Sequence, residues 1–223
     1  MSFDKIESFV LPNNEKVTFS PEDHKYTVRG IEVPSVTTVL KYLYGDTYSA
    51  VKPDLLQRSS EYGTKVHNEL QTLIEIRRDA DIDVLPLCTT QETTNFFTKV
   101  EPIYHIKPLS LEKVIVLYND AGEPVAAGRF DLLCEVSGEL TLADFKTTST
   151  IHRQLVTGQL NMYLRAARQC GYIDTEDIKL GVVHLSGEKC RYIPIDRMGE
   201  GFFKKVFEKL EENKKDVLEN EKN

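Results

Sequence analysis

The segment GRFDLLCEVSGELTLADFKT, residues 128 to 147, constrains this chain more than any other stretch. Two strand-like runs flank Ser137-Gly138, a pair suited to a two-residue turn with positive φ at Gly138. A ladder symmetric about that turn pairs Val136 with Glu139 and Leu133 with Leu142, and it sets Asp131 opposite Asp144. Like charges facing each other destabilise a sheet, and ionised carboxylates beside Phe130, Leu132, Leu133 and Cys134 are costly to bury unpaired. A divalent cation relieves both costs. The two-residue period of a strand puts Lys146 on the side of Asp144 and turns Phe145 to the other face. The expected unit is therefore two carboxylates and a lysine around a hard cation such as Mg²⁺, which favours carboxylate and water oxygens.

The rest of the chain supplies a frame for that hairpin. Residues 16–34 alternate like a small β-ribbon, closed by Pro34. Ser35 can cap a helix running to about Tyr44, and such a capped N-terminus can also hold a phosphate. From about Pro53 to Ala80 the positions Leu55, Leu56, Tyr62, Val66, Leu70, Leu73 and Ile74 have helical spacing. His67 borders that stripe, where it reads either as a core histidine or as a ligand, and Gly63 opens space one turn earlier. A helix over 89–104 leads into a strand over 110–118 and a turn at Ala121-Gly122. If that turn is symmetric, Glu112 sits opposite Asp131 as a third acid; a bulge would leave it a solvent-facing strand residue. A helix over 151–170 carries Gln159 and Tyr163 four residues apart, beside Leu160, Leu164 and Ala167. Strands over 177–185 and 189–195, an amphipathic helix over 200–217 and a frayed tail 218–223 follow. The expected fold is α/β, a central mixed sheet flanked by helices with an N-terminal β-ribbon. It is read as a single domain: ribbon and helix 1–50, core 51–195, C-terminal helix and tail 196–223.

Composition narrows function by exclusion. A net charge of −7 argues against sequence-indifferent coating of nucleic acid, which relies on Lys and Arg displacing counterions. A local basic lining remains available in Lys41, Arg58, Lys65, Arg129, Lys146, Arg153 and Arg165, each equally readable as an ordinary solvated charge. Cys88, Cys134, Cys170 and Cys190 form no C-x-x-C pair, so neither a disulfide framework nor a zinc site is expected. No phosphate-loop motif occurs, so no nucleotide cofactor is expected. The start MSFDKIESF lacks a signal-peptide core and the Arg-rich bias of a transit peptide, and no apolar run reaches membrane-spanning length. A cytoplasmic protein with no membrane partner is the expectation.

At Asp131 and the Asp-Phe-Lys of 144 to 146 the sequence resembles the PD-(D/E)XK nuclease superfamily. Three further segments resemble its RecB-like exonuclease branch. EYGTKVHNEL (61–70) looks like the helix that carries a metal-binding histidine, here His67. TGQLNMYLRAA (157–167) looks like the Q-x-x-x-Y helix, giving Gln159 and Tyr163. IEVPSVTTVLK (31–41) is similar to the P-S-V-T segment of many phage and organellar members. The resemblance spans roughly residues 24 to 195 in the order that branch uses, departing at Phe130, where the superfamily name has Pro, and at Asp144, where many members have Glu.

The resemblance implies a restriction-endonuclease-like core and a metal-dependent DNA exonuclease acting at ends in recombination, repair or phage DNA metabolism. A structure-selective endonuclease, or a catalytically silent DNA-binding subunit, is the alternative. By the same resemblance His67, Asp131, Asp144 and the Phe145 carbonyl bind one or two Mg²⁺ or Mn²⁺ ions, joined by Glu112 if the register allows. Lys146 orients water or steadies developing charge, and Gln159 and Tyr163 position the strand. Ser35, Thr37, Lys65 and Arg129 contact DNA. The implied partners are DNA, single-stranded or with free ends, and in trans a helicase, recombinase or single-strand-binding protein. The cysteine arrangement that holds an iron-sulfur cluster in some members is missing.

Overall fold

The computed structural model describes residues 6–220, with side chains to 216; residues 1–5 of the N-terminal stretch and 221–223 of the tail lie outside it. Two sheets form. The first is an antiparallel ribbon of β1 (Glu7–Val10), β2 (Lys16–Ser20), β3 (Lys25–Val28) and β4 (Ile31–Val33), in that spatial order. The sequence pattern shows β2 to β4; β1 is an addition, recruited by pairing Glu7 to Val10 against Phe19 to Lys16. Pro34 then ends the ribbon, and Ser35 caps α1 (Val36–Tyr44), its hydroxyl accepting from the Thr38 amide at 3.1 Å.

A long helix, α2 (Pro53–Ala80), follows, then a 3₁₀ turn (Leu85–Leu87) and the region expected as one helix over 89–104. That region is instead α3 (Gln91–Asn95), a π-turn (Phe96–Val100) and α4 (Glu101–Tyr104). The π-turn buries Phe96, Phe97 and Val100 together.

The second sheet has the order β5 (Ile106–Tyr118), β6 (Pro124–Val136), β7 (Glu139–Lys146), β8 (Lys179–Ser186), β9 (Lys189–Ile195). Neighbours are antiparallel except β7 and β8, which run parallel because α5 (Arg153–Gln169) crosses over between them. The fold is thus α/β with a mixed five-stranded sheet, as expected. α6 (Glu200–Asn220) closes the chain and packs with α5 around α1, and its last turn takes in Leu218 to Asn220, expected to be frayed.

The sheet separates two apolar cores. On one side Phe130, Leu142, Leu180 and Val182 join α1, α5 and α6 through Val39, Leu160, Met162 and Val206. On the other, Leu132, Ala143, Phe145 and Val183 meet Val66, Leu70 and Ile74 of α2. Each fully buried Val, Leu, Ile, Phe or Met side chain there contributes about 1.5–3 kcal/mol by leaving water. The burial of α2 begins at Val66. Leu55, Leu56 and Tyr62 share its periodicity yet stay 54%, 39% and 43% exposed, because the first turns of α2 run clear of the sheet.

Candidate metal centre

The hairpin turns where its sequence says it should. Ser137 and Gly138 take φ of 50° and 85°, both positive, and Val136 pairs with Glu139 and Leu133 with Leu142. The register continues to Leu132 opposite Ala143, and there the hydrogen-bonded ladder stops. Asp131, next in line to Asp144, instead turns its Oδ2 onto the Phe145 amide, 2.8 Å away. The side chain thereby replaces the ladder bond that the strand end lacks.

β5 brings in the third acid. Leu111 pairs with Leu132 and Lys113 with Phe130, which leaves Glu112 opposite Asp131. The register shifts next to the 119–123 turn, at Leu117 and Tyr118, and again at Pro108 and Ser110, so the stretch between them is unaffected. Glu112 has φ of 49°, a left-handed conformation that an ordinary residue avoids. Strain of that kind persists where the surroundings over-determine it, and often marks a functional position.

α2 supplies the nitrogen. Val66 and Leu70 anchor the helix on the sheet, which sets His67 over the end of β7. His67 Nε2 lies 3.1 Å from the Phe145 carbonyl oxygen and Nδ1 lies 3.5 Å from Asp131 Oδ2. A neutral ring that donates from Nε2 turns its Nδ1 lone pair toward the carboxylate. One ligand atom each from His67, Glu112 and Asp131 falls within 4.8 Å of the others, a group that can hold a metal ion.

The acids show the cost of lying together. Burial, and then the charge of Asp131, pushes Glu112 up to about 8. Burial, and then the charge of Asp144, raises Asp131 to about 6. Both acids resist ionising beside each other without a cation, and together with the Nδ1 lone pair they fit a divalent metal.

Asp144 lies outside that group of three. Only 1% exposed, it pairs through Oδ2 with Lys146 Nζ at 2.5 Å, off the angle of a hydrogen bond. Burial opposes the charge of Lys146, but the Asp144 and Asp131 carboxylates outweigh it and hold its pKa above the ordinary value. Asp144, expected as a ligand, is therefore a neighbour of the His67–Glu112–Asp131 group and the counter-ion of Lys146. The reason is proximity: two residues apart on one strand face, the pair meets without help from any other element.

Gln159 and Tyr163 come to the same place on α5, Gln159 Nε2 donating to Tyr163 Oη at 3.0 Å. Burial, with the charges of Asp144 and Asp131, holds the Tyr163 hydroxyl well above its usual pKa. Gly128 makes room for that ring, since a Cβ there would lie 3.0 Å from Tyr163 Cε1.

The four positions expected to contact DNA diverge. Ser35 is buried, its hydroxyl engaged with Thr37, Thr38 and the helix cap. Thr37 is exposed and lines a cavity that also touches Lys146 and Gln159. Lys65 is exposed on α2. Arg129 is committed to the ribbon, 2.9 Å from Glu7 and over the Phe9 ring at 5.3 Å, because β1 covers it. Arg153 and Arg165, expected in a basic lining, likewise pair with Asp196 and with Asp120 and Glu200.

No motif in the sequence marks His184. It is 2% exposed on β8, paired in register with Lys146, and its Nε2 lies 2.7 Å from the Thr148 carbonyl oxygen. It ties down the loop that leaves Lys146. A lone imidazole inside the apolar run LGVVHLS was the available signal.

No family model matches the chain, and no curated protein matches it. Among solved structures, that of the archaeal protein SSO0001 is 14% identical over 80% of this chain and 74% of its own, with a TM-score of 0.43. A likeness of that level identifies no family. Among the described residues no helix is long and apolar enough to cross a membrane.

Proposed function

We propose that this chain is a metal-dependent deoxyribonuclease of PD-(D/E)XK type, acting on DNA ends. The observation that carries the reading is the convergence of His67, Glu112 and Asp131 beside an Asp144–Lys146 pair at the mouth of one hairpin. His67, Glu112 and Asp131 would hold the cation, with the Asp144–Lys146 pair beside them. A bound Mg²⁺ or Mn²⁺ supplies a lowered pKa for coordinated water and positive charge against the phosphate.

The remaining work falls to the protein. Asp131 stays fixed by the Phe145 amide, and His67 by the Phe145 carbonyl, so two ligands share one strand end as their reference. Lys146, kept charged by Asp144, presents a donor where negative charge grows in phosphodiester hydrolysis. Gln159 and Tyr163 form a polar ledge that can orient the strand next to Lys146.

The test is cleavage of a linear oligonucleotide and of a closed circle with Mn²⁺, Mg²⁺ or EDTA. Metal-dependent loss of the linear DNA alone, absent in Asp131→Asn, supports the end-directed reading. Cleavage of the circle moves it to an endonuclease, and cleavage unaffected by Asp131→Asn removes the metal centre.

A further inference from the structure

A cavity of about 240 Å³ opens on the far side of Lys146, between α1, the 45–48 loop and the start of α5. Its floor is apolar, formed by Leu40, Leu155 and Val156. Tyr48 forms one wall, its ring edge-to-face with His152 at 5.4 Å between centroids. Asp46 also borders the cavity, but its carboxylate accepts the Tyr48 amide at 3.0 Å and so shapes the wall. Two cations lie at its edge, Lys41 exposed on α1 and Lys146 toward the metal centre.

We propose that this cavity receives one unpaired nucleobase of the strand whose phosphate lies at Lys146. The inference rests on the nuclease reading and adds its substrate class, DNA that is single-stranded at the cleaved nucleotide. Size favours a base over a larger ligand, since sites for drug-sized molecules run to about 300–1,000 Å³. A base pair, twice as wide and held in its stack, does not fit. Apolar and aromatic walls accept any base by its faces, which suits an activity tolerant of sequence. Lys41 and Lys146 line the cavity together with apolar Leu40, Leu155 and Val156, a combination that matches a nucleotide, whose phosphates flank a flat heterocycle.

The experiment follows anisotropy of a fluorescein-labelled oligothymidylate, with Ca²⁺ in place of Mg²⁺, while a single abasic site is walked along it. In the wild-type protein one abasic position should weaken binding about tenfold, the loss expected when one stacked base is removed. Leu155→Trp, which fills the cavity, should weaken the intact oligonucleotide by a similar factor and make the abasic position irrelevant, with Mn²⁺ affinity unchanged. Tyr48→Ala should do the same without placing bulk in the interior. A flat abasic scan in a protein that binds DNA and cleaves it with Mn²⁺ overturns the pocket and leaves the nuclease reading standing. A blunt duplex that competes as well as a single strand also overturns it, and no DNA binding in any form overturns both.

Discussion

Replacing Glu112 with Gln tests the metal centre through its effect on folding. The pKa of Glu112 stands at about 8 in the folded chain against an ordinary 4.5, because burial and the Asp131 carboxylate disfavour its charge. A raised folded-state pKa means that the native protein keeps a proton the unfolded chain gives up. The stability this provides is complete below about pH 4.5 and drains away as pH rises through 8. At about 1.4 kcal/mol per pKa unit, raising the pH from 5 to 8 removes roughly 3–4 kcal/mol. Asp131, raised to about 6, adds a smaller loss of the same sign that is complete earlier in the range. Gln cannot ionise, so the metal-free variant should lose about 3 kcal/mol less than the wild type between pH 5 and 8. Urea denaturation in EDTA at several pH values reads this directly. Mn²⁺ should restore the wild type most at high pH, where it displaces the fewest protons, and restore the variant much less. Parallel stability-against-pH curves for the two proteins, or an unchanged Mn²⁺ affinity in the variant, would refute the placement of Glu112 among the ligands.

Lys146→Ala should cost about 3 kcal/mol, since it strands the buried carboxylate of Asp144, and the double variant Asp144→Asn/Lys146→Met should regain most of it; denaturation midpoints check both, and a neutral Lys146→Ala means the pair is not formed. His67→Ala should weaken Mn²⁺ binding 10- to 100-fold by calorimetry while costing only ~1 kcal/mol of stability, the Phe145 carbonyl being the bond it gives up. If Mn²⁺ affinity holds and stability falls instead, His67 is a core residue. Gly128→Ala should cost about 1–2 kcal/mol, because its methyl must displace the Tyr163 ring; adding Tyr163→Leu should relieve most of that, and additive losses would show that the two do not touch.

The hairpin register was legible because its determinants are local. A small residue and a glycine fix the turn, and period two then aligns Leu133 with Leu142 and carries Asp131 to the level of Asp144, one step beyond the last paired residues. The same logic carried across the wider 119–123 turn to Glu112, because the register shift there falls outside the stretch that holds the acid. Helix spacing placed Gln159 beside Tyr163, and Ser35 at its cap, for equally local reasons. Ambiguity began where two distant segments compete for one group. Asp144 could have joined the acids or Lys146, and Arg129 could have faced solvent or the ribbon; each outcome depends on which neighbour the packing of distant elements brings within reach.

By itself, then, the sequence determined the alternation of strands and helices, the hairpin and the set of ionisable residues along it. Those follow from backbone geometry and from side-chain periods of 2 and 3.6, which act over a few residues. The tertiary structure decided the composition of the centre. It drew His67 over the end of β7, separated by 78 residues from the Phe145 carbonyl it meets, and left Leu55, Leu56 and Tyr62 in solvent despite their helical spacing. It also hollowed the cavity beside Lys146 from α1, α5 and the 45–48 loop. Such contacts depend on where whole elements pack, and packing is settled by the shapes of two cores that no short window of sequence contains.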